Sequence, residues 1–287
     1  MSRPLLIGLI ALLPLALPSW ATAGERLSVV STIKPLQLLV SAIAGQAVDN
    51  TTLLDPGASP HHFQLKPSQR EQLHQADLVL WVGPRLETPL ASALAVLGES
   101  TTRLQMDGGD AEHHHGAEPH PWLDSLAMAD FGIEVAEALA RHQPEQAARY
   151  RSNAQQLRAR LQAMSQALAV QLQPYRARRY LTSHAAWDTF AERYGLSGGE
   201  AFTQTPEHQP GARRAMEVDR LLAGGDVQCV LLETAHQPPA LLRMVDKYGV
   251  KKVEFDPLAL SGDTGPGALE EFYREMGERF LDCLGDA

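Results

Sequence analysis

The stretch 144–173, PEQAARYRSNAQQLRARLQAMSQALAVQLQ, decides how the chain is organised. Its apolar residues recur mostly at steps of three and four, the spacing of one face of a helix. They are Tyr150, Leu157, Leu161, Met164, Leu168 and Leu172. At 1.5 Å per residue such a helix is about 45 Å long, more than an ordinary domain helix needs. We therefore predict a rigid connecting helix; the alternative is two shorter helices with a break near Ser152–Asn153.

Strand and helix patterns alternate on the N-terminal side of this helix. The strand patterns are 26–33, 48–54, 78–82 and 101–105. The helix patterns are 35–44, 67–75, 89–97 and a segment that follows Asp124 and reaches His142. We expect the strands to lie side by side and the helices to cover them.

The same alternation returns on the C-terminal side. The strand patterns are 179–183, 227–232 and 252–255, and the helix patterns end near Tyr194, Tyr248 and Leu284. Alternation in both halves predicts the α/β class: two lobes, each a mostly parallel sheet flanked by helices, joined by one long rigid helix. The predicted boundaries are 24–143 for the first lobe, 144–174 for the linking helix and 175–287 for the second lobe.

The first residues have the pattern of a secretory signal peptide. Arg3 precedes an apolar run from Pro4 to Leu17, and Ala21–Thr22–Ala23 fits the A-x-A cleavage pattern. We expect residues 1–23 to be removed after Ala23 and the mature protein to be exported to the periplasm; the alternative is an uncleaved anchor. No later stretch of the sequence is apolar enough to span a bilayer.

Export changes how the two cysteines are interpreted. In an oxidising compartment, Cys229 and Cys283 are more consistent with a disulfide than with two free thiols. The bond would join a strand to the final helix. The formal net charge of −9, without a basic cluster, argues against a nucleic-acid partner.

Histidines are concentrated in the segment 112–124. His120 lies between Pro119 and Pro121, so its backbone has little freedom to lose when the imidazole binds a metal. The consecutive residues His113, His114 and His115 follow an Asp/Gly-rich stretch and suit a solvated loop. They are either collectors of metal or a solvated tract without a role.

Four possible metal ligands follow predicted strands or lie in the loops after them. They are His61, His120, His184 and Asp256. In open α/β sheets ligands bind beyond the carboxyl ends of strands, so a cleft between lobes could gather three imidazoles and one carboxylate, a set that suits zinc. A capping or core role for His184, and a turn role for Asp256 before Pro257, stay open.

Other candidates are expected to support these ligands. Glu233, at the end of a predicted strand, could orient a ligand histidine, and a plain cap is an equal alternative. His62, His208 and His236 are expected to lie behind the ligands or at the surface.

Several ordered motifs together resemble one family. They are Gly57–Ala58–Ser59–Pro60–His61, Pro119–His120–Pro121–Trp122–Leu123–Asp124, Thr182–Ser183–His184–Ala185–Ala186–Trp187, Pro206–Glu207–His208–Gln209–Pro210–Gly211–Ala212 and Asp256–Pro257–Leu258, with the two cysteines. The chain resembles the metal-binding components of zinc and manganese ABC importers, most closely the zinc-specific ZnuA-like branch.

This resemblance implies a function as well as a fold. It implies a monomeric periplasmic protein that binds Zn(II) with high affinity between two lobes and delivers it to the membrane permease of an ABC importer. Carried over by motif, the ligands are His61, His120, His184 and Asp256. The His-rich loop is short here, whereas many zinc members have a long acidic one, which weakens the case for a collecting role.

Three alternatives to this function stay open. The first is a manganese- or iron-binding member of the same family. The second is a secreted zinc hydrolase, which needs a general base beside a metal-bound water, although no H-E-x-x-H run occurs in the sequence. The third is an adhesin or a metal donor built on the same fold.

Overall fold

The computed structural model describes residues 26–107, 119–206, 208–260 and 262–285. The predicted signal peptide with its cleavage after Ala23, and the histidines 113–115, lie outside these ranges. Within them, no helix combines the length and the apolar character that crossing a membrane would require.

The first half contains a four-stranded sheet. Its strands are β1 (Leu27–Ser31), β2 (Val48–Thr52), β3 (Leu78–Trp81) and β4 (Thr102–Gln105). All neighbours pair in parallel, in the order β2-β1-β3-β4. The helices of this half are α1 (Lys34–Ala44), α2 (Pro67–His74), α3 (Thr88–Ala95) and α4 (Ser125–His142). The first three have a proline at their first or second position, where the missing N–H costs no hydrogen bond.

One long helix, α5 (Ala147–Leu172), follows the first half. Its 26 residues form an unbroken helix, so the alternative with a break near Ser152–Asn153 is wrong. A 3₁₀ turn lies at each end, at Pro144–Gln146 and Gln173–Tyr175, and the α-helical part is therefore about 39 Å long. The helix packs against α1 and α4 through a face that includes the buried Leu157 and Leu161.

The second half repeats the arrangement of the first. Its strands are β5 (Arg179–His184), β6 (Gly199–Thr203), β7 (Val227–Glu233) and β8 (Lys251–Phe255), all parallel in the order β6-β5-β7-β8. Its helices are α6 (Asp188–Tyr194), α7 (Ala212–Ala223), α8 (Pro239–Tyr248) and α9 (Ala268–Leu284). Two parallel sheets flanked by helices and joined by a long helix confirm the predicted fold class. The residue boundaries of the lobes remain a proposal.

Two elements of the second half were not predicted. Strand β6 begins at Gly199 on the sheet edge, and a Cβ there would come 2.5 Å from the hydroxyl of Tyr180. The glycine is therefore needed for packing, although it weakens the strand signal. Helix α7 buries Val218 and Leu222, which together with Ala215 have the i, i+3, i+7 spacing of one helix face, so a signal for it was present in the sequence.

The last helix fastens the second sheet. Cys229 of β7 and Cys283 of α9 are both buried and form a disulfide, with their Cα atoms 5.3 Å apart. The predicted bond between a strand and the final helix is confirmed. Helix α9 also contacts α1 and α5, so it connects the second sheet to elements that precede it in the chain.

Candidate metal centre

Three imidazoles meet at the carboxyl ends of the strands. His61 lies in the loop after β2, His120 precedes a 3₁₀ turn after β4, and His184 is the last residue of β5. The Nε2 atoms of His61 and His120 are 3.2 Å apart, and those of His120 and His184 are 3.3 Å apart. The three residues each offer a ring nitrogen within 4.8 Å of the others.

These separations match the spacing of ligand nitrogens around a zinc ion. Zinc binds imidazole nitrogen at about 2.0–2.1 Å, and two corners of a tetrahedron of that radius are about 3.3 Å apart. The Nε2 atoms of the His61–His120 and His120–His184 pairs lie at this spacing. Two of the three pairs therefore have the spacing of neighbouring corners of a zinc site.

Burial keeps the imidazole of His120 neutral. Burial and, to a smaller extent, the neighbouring His184 lower the pKa of His120 to about 3, and Glu233 acts in the opposite direction. His120 is only 2% exposed. A neutral imidazole is the form that binds a metal, so His120 needs no deprotonation at neutral pH to bind one.

Glu233 lies behind His184 at the end of the neighbouring strand β7. Its Oε1 contacts Nδ1 of His184 and accepts a hydrogen bond of 3.1 Å from the hydroxyl of Ser183. A carboxylate at Nδ1 holds the proton there and leaves Nε2 free to bind a cation. Of the two roles considered for Glu233, this contact favours orientation of a ligand histidine.

The segment that carries His120 is fastened to the second half of the chain. The indole N–H of Trp122 donates to the carbonyl of Pro257 at 2.8 Å, and the hydroxyl of Tyr273 donates to the carbonyl of Trp122 at 2.7 Å. Arg193 donates from Nε to both carboxylate oxygens of Asp124, at 2.9 and 3.1 Å. Arg193 could not be found from the sequence, because no local spacing relates it to Asp124.

The structure does not place Asp256 in the group of three imidazoles. One carboxylate oxygen accepts the N–H of Leu258 at 3.0 Å, and the other accepts the N–H of Leu260 at 2.6 Å. Asp256 lines a separate cavity together with Glu254 and Asp263. These contacts are those of the turn alternative, and a ligand role for Asp256 remains a prediction.

A cavity of about 220 Å³ lies beside the three imidazoles. Its walls include all three of them, Glu233 and His236. The ring centroid of His236 is 6.1 Å from that of His184. His62 and His208 are exposed, in line with the expectation that they do not bind the metal. In the sequence, the sign that His236 lies near the imidazoles was its position three residues after Glu233, at the end of a predicted strand.

Two parallel-sheet lobes, a long connecting helix and a cluster of imidazoles at the strand ends define a two-lobed metal-binding protein. Residues 29–284 match the family described as the zinc-uptake complex component A, periplasmic (ZnuA). The chain belongs to this family.

Individual relatives are similar over most of their length. The high-affinity zinc uptake system protein ZnuA of Brucella abortus is 29% identical over 311 residues, which cover 91% of this chain and 93% of that protein. A crystal structure of ZnuA is 20% identical with a TM-score of 0.79, covering 91% of this chain and 100% of that one. The laminin binding protein Lmb of Streptococcus agalactiae is 19% identical with a TM-score of 0.80, covering 90% and 99%. At these identities the two structures support the fold alone.

Proposed function

We propose that this protein binds Zn(II) through the Nε2 atoms of His61, His120 and His184 and delivers it to the permease of an ABC importer. The observation that carries the proposal is the Nε2 spacing of 3.2 and 3.3 Å, which fits tetrahedral zinc. Membership of a zinc-uptake family supports it. The fourth position is filled by Asp256, by another side chain or by water.

The proposal also covers where the protein acts and with which partner. The family is described as periplasmic, and the first 23 residues have a signal-peptide pattern, so the protein acts in the periplasm after cleavage following Ala23. It acts there as a monomer whose partner is the membrane permease of the importer. The lobes 24–143 and 175–287 enclose the zinc, and the helix 144–174 keeps them at a fixed distance.

Two alternatives are less well supported. A hydrolase needs a carboxylate base beside the open position of the metal, but Glu233 is engaged with Nδ1 of His184 and with Ser183. We therefore propose transport without catalysis. A manganese carrier is disfavoured because a nitrogen-rich site binds manganese more weakly than zinc.

The decisive experiment is competition of metal-free protein with a chelator for zinc and for manganese. We expect tight one-to-one zinc binding and weak manganese binding. The variant with His61, His120 and His184 all replaced by alanine should lose the tight site, and the control His62→Ala, at an exposed neighbour, should keep it. A wild-type preference for manganese, or hydrolysis of an ester panel by the zinc-loaded protein, would contradict the proposal.

A further inference from the structure

His236 lies in the wall of the cavity beside the three imidazoles, although neither the family motif nor the ligand set carried over from it includes this residue. We propose that His236 supplies the fourth nitrogen to the zinc and closes its coordination shell. This inference rests on the proposed function, because it concerns the same site.

The backbone of His236 is held in place by a tight turn. Its N–H donates to the carbonyl of Glu233 at 3.0 Å, and the two residues form an antiparallel bridge. Glu233 itself ends β7 and contacts His184. The turn therefore fixes the Cα of His236 next to a proposed ligand and leaves only the two side-chain torsions to position the ring.

The ring of His236 is nearly as close to the ring of His184 as the rings of the three proposed ligands are to one another. The ring centroids are 5.1 Å apart for His120 and His184, 5.2 Å for His61 and His120, and 5.9 Å for His61 and His184. The centroid of His236 is 6.1 Å from that of His184, and the planes meet at 83°, close to the 85° between His61 and His184. The close nitrogens belong to three residues in this structure, and the half-buried His236 side chain would have to rotate to add a fourth.

The other side chains near the site are engaged elsewhere. Beyond the three imidazoles, the cavity wall contains one carboxylate, Glu233, and one further imidazole, His236, among the residues that the structure describes. Oε1 of Glu233 contacts His184 and Ser183. Both oxygens of Asp256 accept backbone N–H groups, and this residue lines a different cavity. His236 is therefore the best placed donor for the fourth corner.

A fourth imidazole would affect what the site can do. Four nitrogen ligands close the tetrahedron, as in zinc sites that hold the ion without activating a water. The same set lacks the oxygen ligands that suit manganese, so His236 would add to the selectivity for zinc. His236 would thus be a residue that determines specificity.

The test counts the imidazoles that bind zinc. Protein labelled with ¹⁵N-histidine is loaded with one equivalent of zinc, and the metal-bound ring nitrogens are counted by ¹H–¹⁵N correlation spectra. We expect four in the wild type and three in His236→Phe, with zinc affinity lowered by more than about tenfold, the least that loss of an outer-shell partner costs. The matched control His208→Phe, at an exposed histidine, should keep four bound nitrogens and the wild-type affinity.

The outcomes separate this inference from the proposed function. Three bound imidazoles in the wild type, with an unchanged affinity in His236→Phe, would overturn the role of His236 while leaving zinc binding intact. In that case an Asp256→Ala variant with weakened affinity would assign the fourth position to the carboxylate. A wild-type protein that binds no zinc would overturn the proposed function itself, and with it this inference.

Discussion

Two segments from the first half of the chain deliver histidines to the same point, and they are held in different ways. The loop with His61 is organised by hydrogen bonds between near neighbours: Ala58 N–H to Asp55, His62 N–H to Ser59, and His61 N–H to the Ser59 hydroxyl. The segment 120–124 is instead fastened by partners at least 69 residues away in the sequence. His61 is partly exposed, whereas His120 is buried.

This difference indicates which two of the three proposed ligands are held in place before the metal binds. The segment 120–124 precedes α5 in the chain, yet Pro257, Tyr273 and Arg193 hold it against the second half. His120 and His184 are therefore both positioned by the second half of the chain, and Glu233 orients the ring of His184. His61 comes from a loop on the first sheet and completes the site. We expect zinc to join this loop to the pair of His120 and His184.

The largest expected effect is the loss of a ligand from the pair. His120→Ala should lower zinc affinity by more than about 100-fold, above the range for an outer-shell partner, because the metal loses a buried neutral nitrogen. His184→Ala and His61→Ala should also cost far more than Asp256→Ala. Competition titrations of the four variants measure this order, and an unaffected His184→Ala would refute the ligand assignment.

A smaller effect is expected from breaking the ion pair between Arg193 and Asp124, which holds the segment 120–124. Arg193→Gln removes the partner of Asp124, whose side chain is 8% exposed. Breaking a fully buried pair costs about 3–5 kcal/mol, and since Arg193 is 36% exposed we expect about 1–3 kcal/mol less free energy of unfolding. Urea denaturation of the metal-free protein measures it.

The matched control for this ion pair is Arg151→Gln. Arg151 forms a similar two-point ion pair with Glu137, but these side chains are 51% and 42% exposed. We expect little change in stability there, since exposed pairs contribute little. Zinc affinity should fall in Arg193→Gln and stay the same in Arg151→Gln. Equal effects of the two variants would show that Asp124 does not fasten the segment.

The buried His120 should make the stability of the metal-free protein depend on pH. In the unfolded chain its imidazole takes up a proton below about pH 6.5, but in the folded protein its pKa is lowered to about 3. The unfolded state therefore binds more protons between these values, and the free energy of unfolding falls as pH falls through this window.

For His120 alone, we expect the free energy of unfolding to be about 2 kcal/mol lower at pH 5 than at pH 7. Urea denaturation at the two pH values should show a smaller difference in His120→Ala than in the wild type. His62→Ala, at an exposed imidazole, should retain the wild-type difference. An equally large difference in His120→Ala would show that other groups cause the acid destabilisation.

The features that could be predicted from the sequence are those with local signals. The apolar spacing in 144–173 predicted α5. The rule that ligands follow parallel strands grouped His61, His120, His184 and Asp256, and the structure brings the three histidines together but does not place Asp256 among them. Strand β6 lacked such a signal because Gly199 serves packing against Tyr180. The link between Arg193 and Asp124 depends on tertiary structure, and nothing in the spacing of the two residues encodes it.

The smallest expected effect concerns the three consecutive histidines 113–115, which lie outside the described residues. Replacing all three by serine should leave tight one-to-one zinc binding intact and remove at most weak additional zinc. The reason is that the segment with His120 is held by the bonds of Trp122 to Pro257 and of Asp124 to Arg193. We therefore expect its position not to depend on the preceding histidines. Titration by isothermal calorimetry gives both the number of sites and the affinity of the first. If the substitution abolished the tight site, the histidines 113–115 would have to be counted among its ligands.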